Sequence, residues 1–324
     1  MIPLDAIRAA AERIRGGVHR TPLFSSLQLG ERVRPPVRLS LKCENFQKSG
    51  SFKARGALNK ILSLGAGERA RGLVTVSAGN HAAAVAWAAR VAGCSAVVVM
   101  PTAAPRSKIE AVQGYGAEIV FHPDRATLFD RLREVERERG LTFIHPFDDP
   151  VVLAGAGTVG LEIAEDAPDA DVVVVPVGGG GLIGGVASAI KQTLRAARVV
   201  AVELEAGPGL APALVAGKPV PVKRPDTLAD GMTPPFVGAL PLEIAREAID
   251  EIVNVSEEEI LEAMRMLLTR AKLYVEGSGA AATAAVLTGK VKTPPGARVV
   301  AIVSGGNVDL ERVAALIPPR EAAR

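Results

Sequence analysis

The stretch 171-DVVVVPVGGGGLIGG-185 decides the fold of this chain. Residues 172–177 form a continuous apolar run, which is typical of a parallel strand that is buried on both faces. Four glycines follow at once, and residues 178–197 then have the composition of a helix. A strand, a glycine turn and a helix in this order predict one βα unit of an α/β protein.

The same alternation of short apolar segments with helical segments continues along the chain. Strands are predicted at 73–77, 95–101, 117–122, 141–145, 171–177, 198–205 and 298–307. Helices are predicted at 80–93, 105–116, 124–140, 156–167 and 257–276. Ser256 and Glu259 fit a capping box at the start of the last of these helices.

Strands that alternate with helices predict the α/β class, with two open, twisted and mostly parallel sheets. The block 72–149 holds enough βα units for a small sheet of its own. We therefore expect a larger domain of residues 1–71 and 150–324, interrupted by a smaller domain. Ligands of such folds bind at the carboxyl ends of the strands, and the proline-rich segment 208–241 is expected to be a loop or lid.

Composition excludes several classes of protein. The chain has 324 residues, a net charge of +3 and basic and acidic residues that are mixed along its length. Only eight Phe, two Tyr and one Trp are available for base stacking, so no nucleic-acid partner is expected. Cys43 and Cys94 cannot define a disulfide framework. No apolar run reaches the ~18 residues of a membrane span, and the N-terminal segment lacks the apolar core of a signal peptide, so a cytoplasmic enzyme is expected.

Lys53 lies in a run of small residues, 47-QKSGSFKARGALNK-60. A lysine forms a Schiff base with a carbonyl compound when desolvation or nearby charge lowers its pKa. A solvated helix lysine is the ordinary alternative, but such a residue needs no small neighbours. The setting therefore favours a lysine that lies against a flat ligand.

The glycines at 178–181 predict a phosphate site. At a helix N-terminus the successive backbone N–H groups point at the phosphate oxygens, and glycines leave the approach open. The segment is neither a GxxxxGK[ST] loop nor a convincing GxGxxG fingerprint. A purely structural turn would need only one or two glycines.

Two further strand ends carry polar residues. The turn 77-SAGNH-81 offers a hydroxyl, an amide and an imidazole beside the start of a helix, which suits a carboxylate; an ordinary N-cap by Ser77 would explain the serine alone. The segment 303-VSGGN-307 could equally be a tight turn. If these turns and Lys53 converge, their ligand has a phosphate, a carbonyl and a flat body, and pyridoxal phosphate fits that description.

The ordered motifs SFKARGA, SAGNHA, HPFDDP, VPVGGGG, ADG and SGGN cover nearly the whole chain. In this order they resemble the fold-type II pyridoxal-phosphate enzymes, whose fold is tryptophan synthase β-like, and within them the threonine/serine dehydratase and serine racemase group. The resemblance implies that Lys53 holds the cofactor as a Schiff base and that Phe52 flanks its ring. It also implies roles for three other groups: Gly178, Gly179, Gly180 and Gly181 at the phosphate, Asn80 at the 3′-oxygen, and Ser304 at the ring nitrogen.

The resemblance also implies a reaction. Ser77, Ala78, Gly79, Asn80 and His81 would hold the substrate carboxylate, and Lys53 would remove the Cα proton. Loss of the β-hydroxyl would then turn L-threonine or L-serine into a 2-oxo acid and ammonia. A homodimer, and closure of the smaller domain over the substrate, are expected as well.

Three departures or limits modify this expectation. Ala78 stands where racemases of the group have a serine, so racemisation is expected to be weak. Glu203, in 202-VELE-205, matches one metal ligand of the group, but Gly209 stands where a second acidic residue is expected, so no metal is expected. A solvated strand-end carboxylate is the alternative for Glu203. Only 17 residues follow SGGN, so no C-terminal regulatory domain is expected.

Several functions stay open. Within the enzymes they are a serine racemase, an L-threo-3-hydroxyaspartate ammonia-lyase and a cysteine-synthase-like enzyme; SFKAR in place of SVKDR argues against the last. The hydroxyaspartate activity needs a cation that the sequence does not place. A non-catalytic protein that binds a phosphorylated ligand would give Lys53 no role, and a nucleotide-binding α/β protein is the third class.

Overall fold

A computed structural model describes residues 1–314 of the chain, and their strands form two sheets. With strands numbered along the chain, the larger sheet consists in spatial order of β1 (Leu23–Ser25), β2 (Arg38–Cys43), β10 (Arg298–Val303), β7 (Val172–Pro176), β8 (Arg198–Leu204) and β9 (Glu251–Val255). All neighbouring strands in it run parallel except the short edge strand β1, which runs antiparallel to β2.

The smaller sheet is fully parallel. It consists in spatial order of β5 (Glu118–His122), β4 (Ala96–Pro101), β3 (Leu73–Val76) and β6 (Thr142–Phe143). The prediction of an α/β fold with two mostly parallel sheets is thus confirmed. The division of the chain into domains at residues 72 and 149 stays a prediction.

Helices connect the strands and cover the sheets. They are α1 (Leu4–Ile14), α2 (Leu27–Gly30), α3 (Lys53–Ser63), α4 (Ala66–Ala70), α5 (Asn80–Ala92), α6 (Arg106–Gly114), α7 (Leu128–Arg139), α8 (Pro150–Asp166), α9 (Gly181–Thr193), α10 (Leu210–Ala216), α11 (Ala239–Ala248), α12 (Glu257–Met266), α13 (Gly277–Leu287) and α14 (Leu310–Ala314). Short 3₁₀ turns occur at Glu44–Phe46, Lys48–Gly50 and Asp230–Met232, and Leu267–Ala271 is a π-helical turn. None of the helices within residues 1–314 combines the length and apolar character that a bilayer crossing requires.

Strand β7 shows why the apolar run at 172–177 is a reliable signal. Val172 and Val174 pack into the hydrophobic cluster beneath α13, whereas Val173 and Val175 pack into the cluster formed with α8 and α9. Both faces of the strand are therefore buried, and each valine side chain removed from water stabilises the fold by about 1.5–3 kcal/mol.

Helix α3 belongs to the core of the smaller sheet although it precedes residue 72. Ala57, Leu58 and Ile61 of α3 pack in one hydrophobic cluster with Leu73 of β3 and Val98 of β4. Because α3 begins at Lys53, the position of this lysine depends on the packing of α3 against the smaller sheet.

Three predicted helices differ from the observed ones. The helix expected at 156–167 begins earlier, at Pro150, because the Asp149 side chain caps it there. The capping box of Ser256 and Glu259 is confirmed, but the helix that it opens ends at Met266, and the chain leaves helical geometry at Lys272, where φ is +61°. The helix expected at 124–140 begins only at Leu128, because the Asp124 carboxylate accepts the Ala126 N–H (2.8 Å) and the Thr127 hydroxyl (3.0 Å) in a local turn. Helix α14 follows the last strand, and residues beyond 314 lie outside the described part of the chain.

Candidate active site

A cavity of about 400 Å³ lies where the carboxyl ends of β3, β7 and β10 meet. Residues that follow strands of both sheets line it, as expected for ligand sites of open α/β sheets. The residues predicted from sequence that it gathers are Phe52, Lys53, Ser77, Ala78, Gly79, Asn80, His81, Gly178, Gly179, Gly180, Gly181 and Ser304. Glu203 is not part of its lining.

Lys53 begins α3 and projects into this cavity. Its Nζ donates to the carbonyl oxygen of Pro146 (2.7 Å) and lies 5.2 Å from the centre of the Phe52 ring. Burial lowers the pKa of Lys53 to about 8. No carboxylate among residues 1–314 pairs with its ammonium group, so no opposite charge counters the effect of burial. A substantial fraction of the amine is therefore neutral and nucleophilic near pH 8.

The glycine turn after β7 is shaped by close contacts. A Cβ at Gly179 would overlap the Phe147 ring, and one at Gly178 would lie 2.5 Å from the Gly231 carbonyl oxygen. Gly180, with φ +91°, is the N-cap of α9. The N–H groups of Gly179, Gly180 and Gly181 have no acceptor in the described part of the chain, so the turn offers several free donors at the positive end of a helix.

The motif HPFDDP, residues 145–150, supports both of these groups. Pro146 supplies the carbonyl that binds Lys53, and Phe147 fills the space left by the glycines. Asp148 accepts the Ala239 and Leu240 N–H groups at 3.0 Å each, at the start of α11. Asp149 caps α8 in the same way. Each of these four residues therefore fixes either the lysine, the glycine turn or a helix that borders the cavity.

His145, the first residue of that motif, is a neutral acceptor. Its Nδ1 accepts the backbone N–H groups of Phe147 (3.2 Å) and Asp148 (2.9 Å). Burial lowers the pKa of His145 to about 4, so the imidazole carries no charge at neutral pH.

The turn 77–81 presents mainly backbone donors. Ser77 is not the N-cap of α5, which is Gly79; the Ser77 hydroxyl instead accepts the Gly79 N–H at 3.1 Å. Burial, with the nearby charge of Lys53, lowers the pKa of His81 well below its ordinary value. The neutral His81 imidazole lies with Nε2 3.3 Å from the Ile144 carbonyl oxygen, so the proton is assigned to that nitrogen. Its backbone N–H, in the first turn of α5, is then the donor that His81 can offer to a carboxylate.

Asn80 is held in one orientation by two neighbours. Its Oδ1 accepts from Asn307 Nδ2 (2.8 Å), which also donates to the Ser49 carbonyl (2.8 Å). Its Nδ2 donates to Oε1 of Glu276 at 2.6 Å. One hydrogen of Nδ2 is left over, and because the amide cannot flip without losing these bonds, that hydrogen stays available to a ligand.

Ser304 follows β10 and lies on the cavity wall with Ser278 of α13. The Ser304 hydroxyl is 3.3 Å from the Ser278 carbonyl, a long hydrogen bond that it can exchange for a ligand. The Ser278 hydroxyl is buried and has no partner in residues 1–314. Such an unpaired buried group is costly unless something in the cavity binds it.

Charged side chains cross the cavity between the two sheets. Lys108 of α6 forms an ion pair with Asp230, in the 3₁₀ turn of the segment 208–241. The Lys108 ammonium group also lies 3.3 Å from the position that a Cβ of Gly79 would take. Arg125 and Arg224 line the same cavity, and burial together with the charge of Arg125 lowers the pKa of Arg224.

Glu203 is a buried carboxylate with backbone hydrogen-bond partners. It is only 2% exposed, so it is not a solvated strand-end carboxylate. Its oxygens accept the N–H groups of Gly209 (2.6 Å), Leu210 (2.6 Å) and Ala211 (3.0 Å), at the start of α10. The carboxylate therefore caps this short helix.

Behind Lys53, two residues further along α3, a buried charge network surrounds Arg55. This guanidinium is 1% exposed and forms paired bonds with Glu44 (2.8 Å each) and Glu162 (2.6 and 2.9 Å). Lys42, also fully buried, pairs with Glu162 at 2.7 Å. The network joins β2, α3 and α8, and so it fixes the start of α3.

Sequence reasoning missed Glu276, Lys108, Asp230 and the network of Arg55. Asp230 belongs to the ADG motif, but the motif alone gives this residue no role. Glu276 was hidden because residues 257–276 were predicted as a single helix, which would place it far from any glycine turn.

The site fits pyridoxal phosphate on three observations. Lys53 is a desolvated amine, the glycine turn has unsatisfied donors at a helix N-terminus, and Ser278 and Glu276 have buried polar atoms with no partner in residues 1–314. The desolvated amine suits an aldehyde, and the donors of the glycine turn suit a phosphate. The unpaired polar atoms of Ser278 and Glu276 suit a ligand with further polar groups.

Comparisons with known proteins agree with this fit. Residues 14–305 match the model of the family described as pyridoxal-phosphate dependent enzyme. An L-threonine ammonia-lyase of Thermotoga maritima is 44% identical over 98% of this chain and 78% of its own length. The Escherichia coli protein named L-threonine dehydratase catabolic TdcB is 43% identical over 96% of this chain and 95% of its own.

Among solved structures, that of maize serine racemase superposes with a TM-score of 0.91. It is 39% identical and covers 96% of this chain and 95% of the maize chain.

Proposed function

The chain belongs to the family of pyridoxal-phosphate dependent enzymes, and we propose that it is an ammonia-lyase that eliminates water from L-threonine and L-serine. The products are a 2-oxo acid and ammonia. Bound pyridoxal phosphate supplies the electron sink that makes the Cα–H bond of an amino acid acidic. The names of both bacterial relatives, which match nearly the whole chain, support this substrate class.

The observation that carries the proposal is the state of Lys53. Its amine faces the cavity with a pKa of about 8, beside free N–H donors of the glycine turn. In its neutral form Lys53 Nζ would hold the cofactor covalently, and as a free amine the same nitrogen would accept the Cα proton of the substrate. The Pro146 carbonyl orients this nitrogen and later helps to hold the ammonium form.

The other residues bind and orient. Gly178 to Gly181 would bind the phosphate through backbone N–H groups, Phe52 would lie against the ring, and Asn80 would donate to the 3′-oxygen. The Ser304 hydroxyl would face the ring nitrogen and, unlike a carboxylate, would not stabilise its protonated form. The start of α5, from Ser77 to His81, donates to the substrate carboxylate.

The test is release of 2-oxo acid by purified, cofactor-loaded protein, with L-threonine, L-serine and L-threo-3-hydroxyaspartate offered in parallel. Turnover of threonine and serine that is lost in Lys53→Ala supports the proposal. Lys60→Ala is the matched control, because Lys60 lies in the same helix and pairs with Asp149 away from the cavity. Activity that persists in Lys53→Ala, or cofactor binding with no turnover of either substrate, contradicts it.

A second candidate substrate is favoured by the cations at the cavity. Arg125 and Arg224 line it, and no carboxylate among residues 1–314 forms an ion pair with either. They could bind the second carboxylate of L-threo-3-hydroxyaspartate. Turnover of hydroxyaspartate that exceeds that of threonine, and that falls in Arg125→Gln and Arg224→Gln while threonine turnover does not, would favour this activity.

Serine racemisation is the remaining alternative within the family. The likeness to maize serine racemase favours it, whereas Ala78, which has no proton to exchange, argues against it. Chiral analysis of recovered serine decides between them, and D-serine formed at a rate near that of 2-oxo acid would support racemisation.

We further propose that the protein acts in the cytoplasm as a homodimer, and that the part built on the smaller sheet closes over the substrate. The ion pair of Lys108 and Asp230 joins that part to the segment 208–241 and supports this closure. Light scattering of the purified protein tests the dimer, and a monomer mass at micromolar concentration contradicts it.

A further inference from the structure

Glu276 is a buried carboxyl group on the cavity wall for which the proposed reaction has no role. It is the N-cap of α13 and is 3% exposed. Oε1 accepts the Asn80 Nδ2–H at 2.6 Å, whereas Oε2 is buried and has no hydrogen-bond partner in residues 1–314. An unpaired buried carboxylate oxygen is unfavourable, so a proton on that oxygen or a ligand donor beside it is expected.

The groups around Glu276 come from every element that borders this part of the cavity. Burial and then the charge of Asp230 raise the pKa of Glu276 to about 7, against the opposing effects of Lys108, the Asn80 amide and the Asn307 N–H. Ser278 and Ser304 contribute neutral hydroxyls, His81 is neutral, and Lys53 lies across the cavity.

Asn80 places Glu276 beside one particular part of the ligand. Its amide is locked by Asn307 and Glu276 with one hydrogen left for the cavity. An anionic oxygen that takes this hydrogen lies next to the Glu276 carboxyl group, because both are bound to the same amide nitrogen. Two anionic oxygens side by side in a site of low polarity repel each other strongly.

We propose that Glu276 is the acid of this site: it carries a proton on Oε2 when the cofactor is bound and donates it as a hydrogen bond to the cofactor oxygen held by Asn80. The proposal rests on the proposed function, since it takes pyridoxal phosphate as the ligand. Above the pKa of Glu276 in the free protein, binding of the cofactor takes up one proton from solvent. The proton stays on Glu276, and no bond within the protein breaks.

The test is the dissociation constant of pyridoxal phosphate from pH 6 to pH 9, measured from its absorbance with wild-type protein and with Glu276→Gln. Glutamine keeps an oxygen for Asn80 and places a permanent N–H donor where the acid has its proton. Titration of Lys53 and of the cofactor affects both proteins alike. The wild-type dissociation constant divided by that of Glu276→Gln therefore reports the protonation of Glu276 alone.

We expect this ratio to be constant below about pH 6 and to rise about tenfold per pH unit above pH 7, as linkage to one proton requires. By pH 9 the wild type should have lost up to about a hundredfold in affinity relative to the variant. A ratio that does not change with pH, with both proteins folded and binding the cofactor, overturns the proposal.

Asp230→Asn provides a second measurement that does not depend on the glutamine variant. Removing the charge of Asp230 lowers the pKa of Glu276 in the free protein. The pH above which the dissociation constant begins to rise should therefore be lower in Asp230→Asn than in the wild type. If the dissociation constant begins to rise at the same pH in both proteins, the proposal is contradicted. If the wild type binds no pyridoxal phosphate at any pH, the proposed function itself fails, a result distinct from tight binding with a flat ratio.

Discussion

Two buried glutamates in this protein have pKa values that are shifted in opposite directions. Glu44 is fully buried, yet its pKa is lowered, because the attraction of Arg55, with hydrogen bonds from Arg55 and Thr21, outweighs the effect of burial. Glu276 is nearly as buried, and there burial and Asp230 prevail and raise its pKa to about 7. Partners thus decide the charge of a buried acid in this fold, since burial alone is common to both.

Helix α3 repeats this contrast with cations. Arg55 is bound by two carboxylates, which raise its pKa further although burial opposes this. Lys53, two residues earlier, has only a carbonyl acceptor, and burial lowers its pKa to about 8. The paired groups hold the backbone in place, whereas Lys53 and Glu276 have pKa values of about 8 and about 7, so that both protonation states are accessible near neutral pH.

Lys53→Ala is expected to have the largest effect on activity and little effect on folding. We predict that turnover falls by at least about a thousandfold, since both the covalent attachment and the base are lost. The cofactor-free protein should not lose stability, because the change removes an amine that is unfavourable to bury. Turnover and chemical denaturation are measured on the same preparations, and a large loss of stability would break the contrast with Arg55.

Arg55→Ala is expected to act on stability. It leaves Glu44 buried without its cation, and we predict a loss of about 3–5 kcal/mol in the free energy of unfolding. Arg106→Ala, which removes one member of an exposed ion pair with Glu110, is the control and should change little. Denaturation midpoints that fall equally in both variants would contradict the account.

The two glutamates should give opposite pH dependences of stability in the cofactor-free protein. The raised pKa of Glu276 contributes stability below its ordinary value of 4.5 that is lost as the pH rises through about 7. Between pH 4.5 and about pH 7, the free energy of unfolding of the wild type should therefore fall by up to about 3 kcal/mol relative to that of Glu276→Gln.

Glu44 should show the reverse, since its lowered pKa contributes stability above its ordinary value of 4.5 that is lost at lower pH. The advantage of the wild type over Glu44→Gln should thus shrink as the solution is acidified. Denaturation at several pH values checks both glutamates, and parallel curves for the two variants would contradict the assignment.

Ala78→Ser is expected to have the smallest effect. A hydroxyl at this position of the cavity wall can exchange a proton with Cα, so we predict slow formation of D-serine while elimination still dominates. Chiral chromatography of serine after incubation measures it. Elimination that is lost altogether would show that Ala78 has a steric role instead.

Local patterns were enough to select residues that line the cavity and lie within one motif. Lys53 and the glycines at 178–181 are signalled by neighbours in sequence, and the strand at 172–177 by its continuous apolar run. These features depend on backbone shape over a few residues, which the local sequence determines.

The remainder depends on contacts between distant segments. Glu276 reaches Asn80 across 196 residues of sequence, and Lys108 reaches Asp230 across 122. Helix propensity extends the pattern from Glu257 through residue 276, but the chain turns at Lys272 with a positive φ and starts α13 after Glu276. Tertiary packing, which no single segment encodes, overrides propensity there.

The most direct test of the account is to identify the lysine that carries the cofactor. The protein is loaded with pyridoxal phosphate, reduced with borohydride and digested, and the modified peptide is sequenced by mass spectrometry. We predict one stable adduct, on Lys53, that is absent from Lys53→Ala and unchanged in Lys60→Ala. An adduct on another lysine, or one that survives in Lys53→Ala, would contradict it.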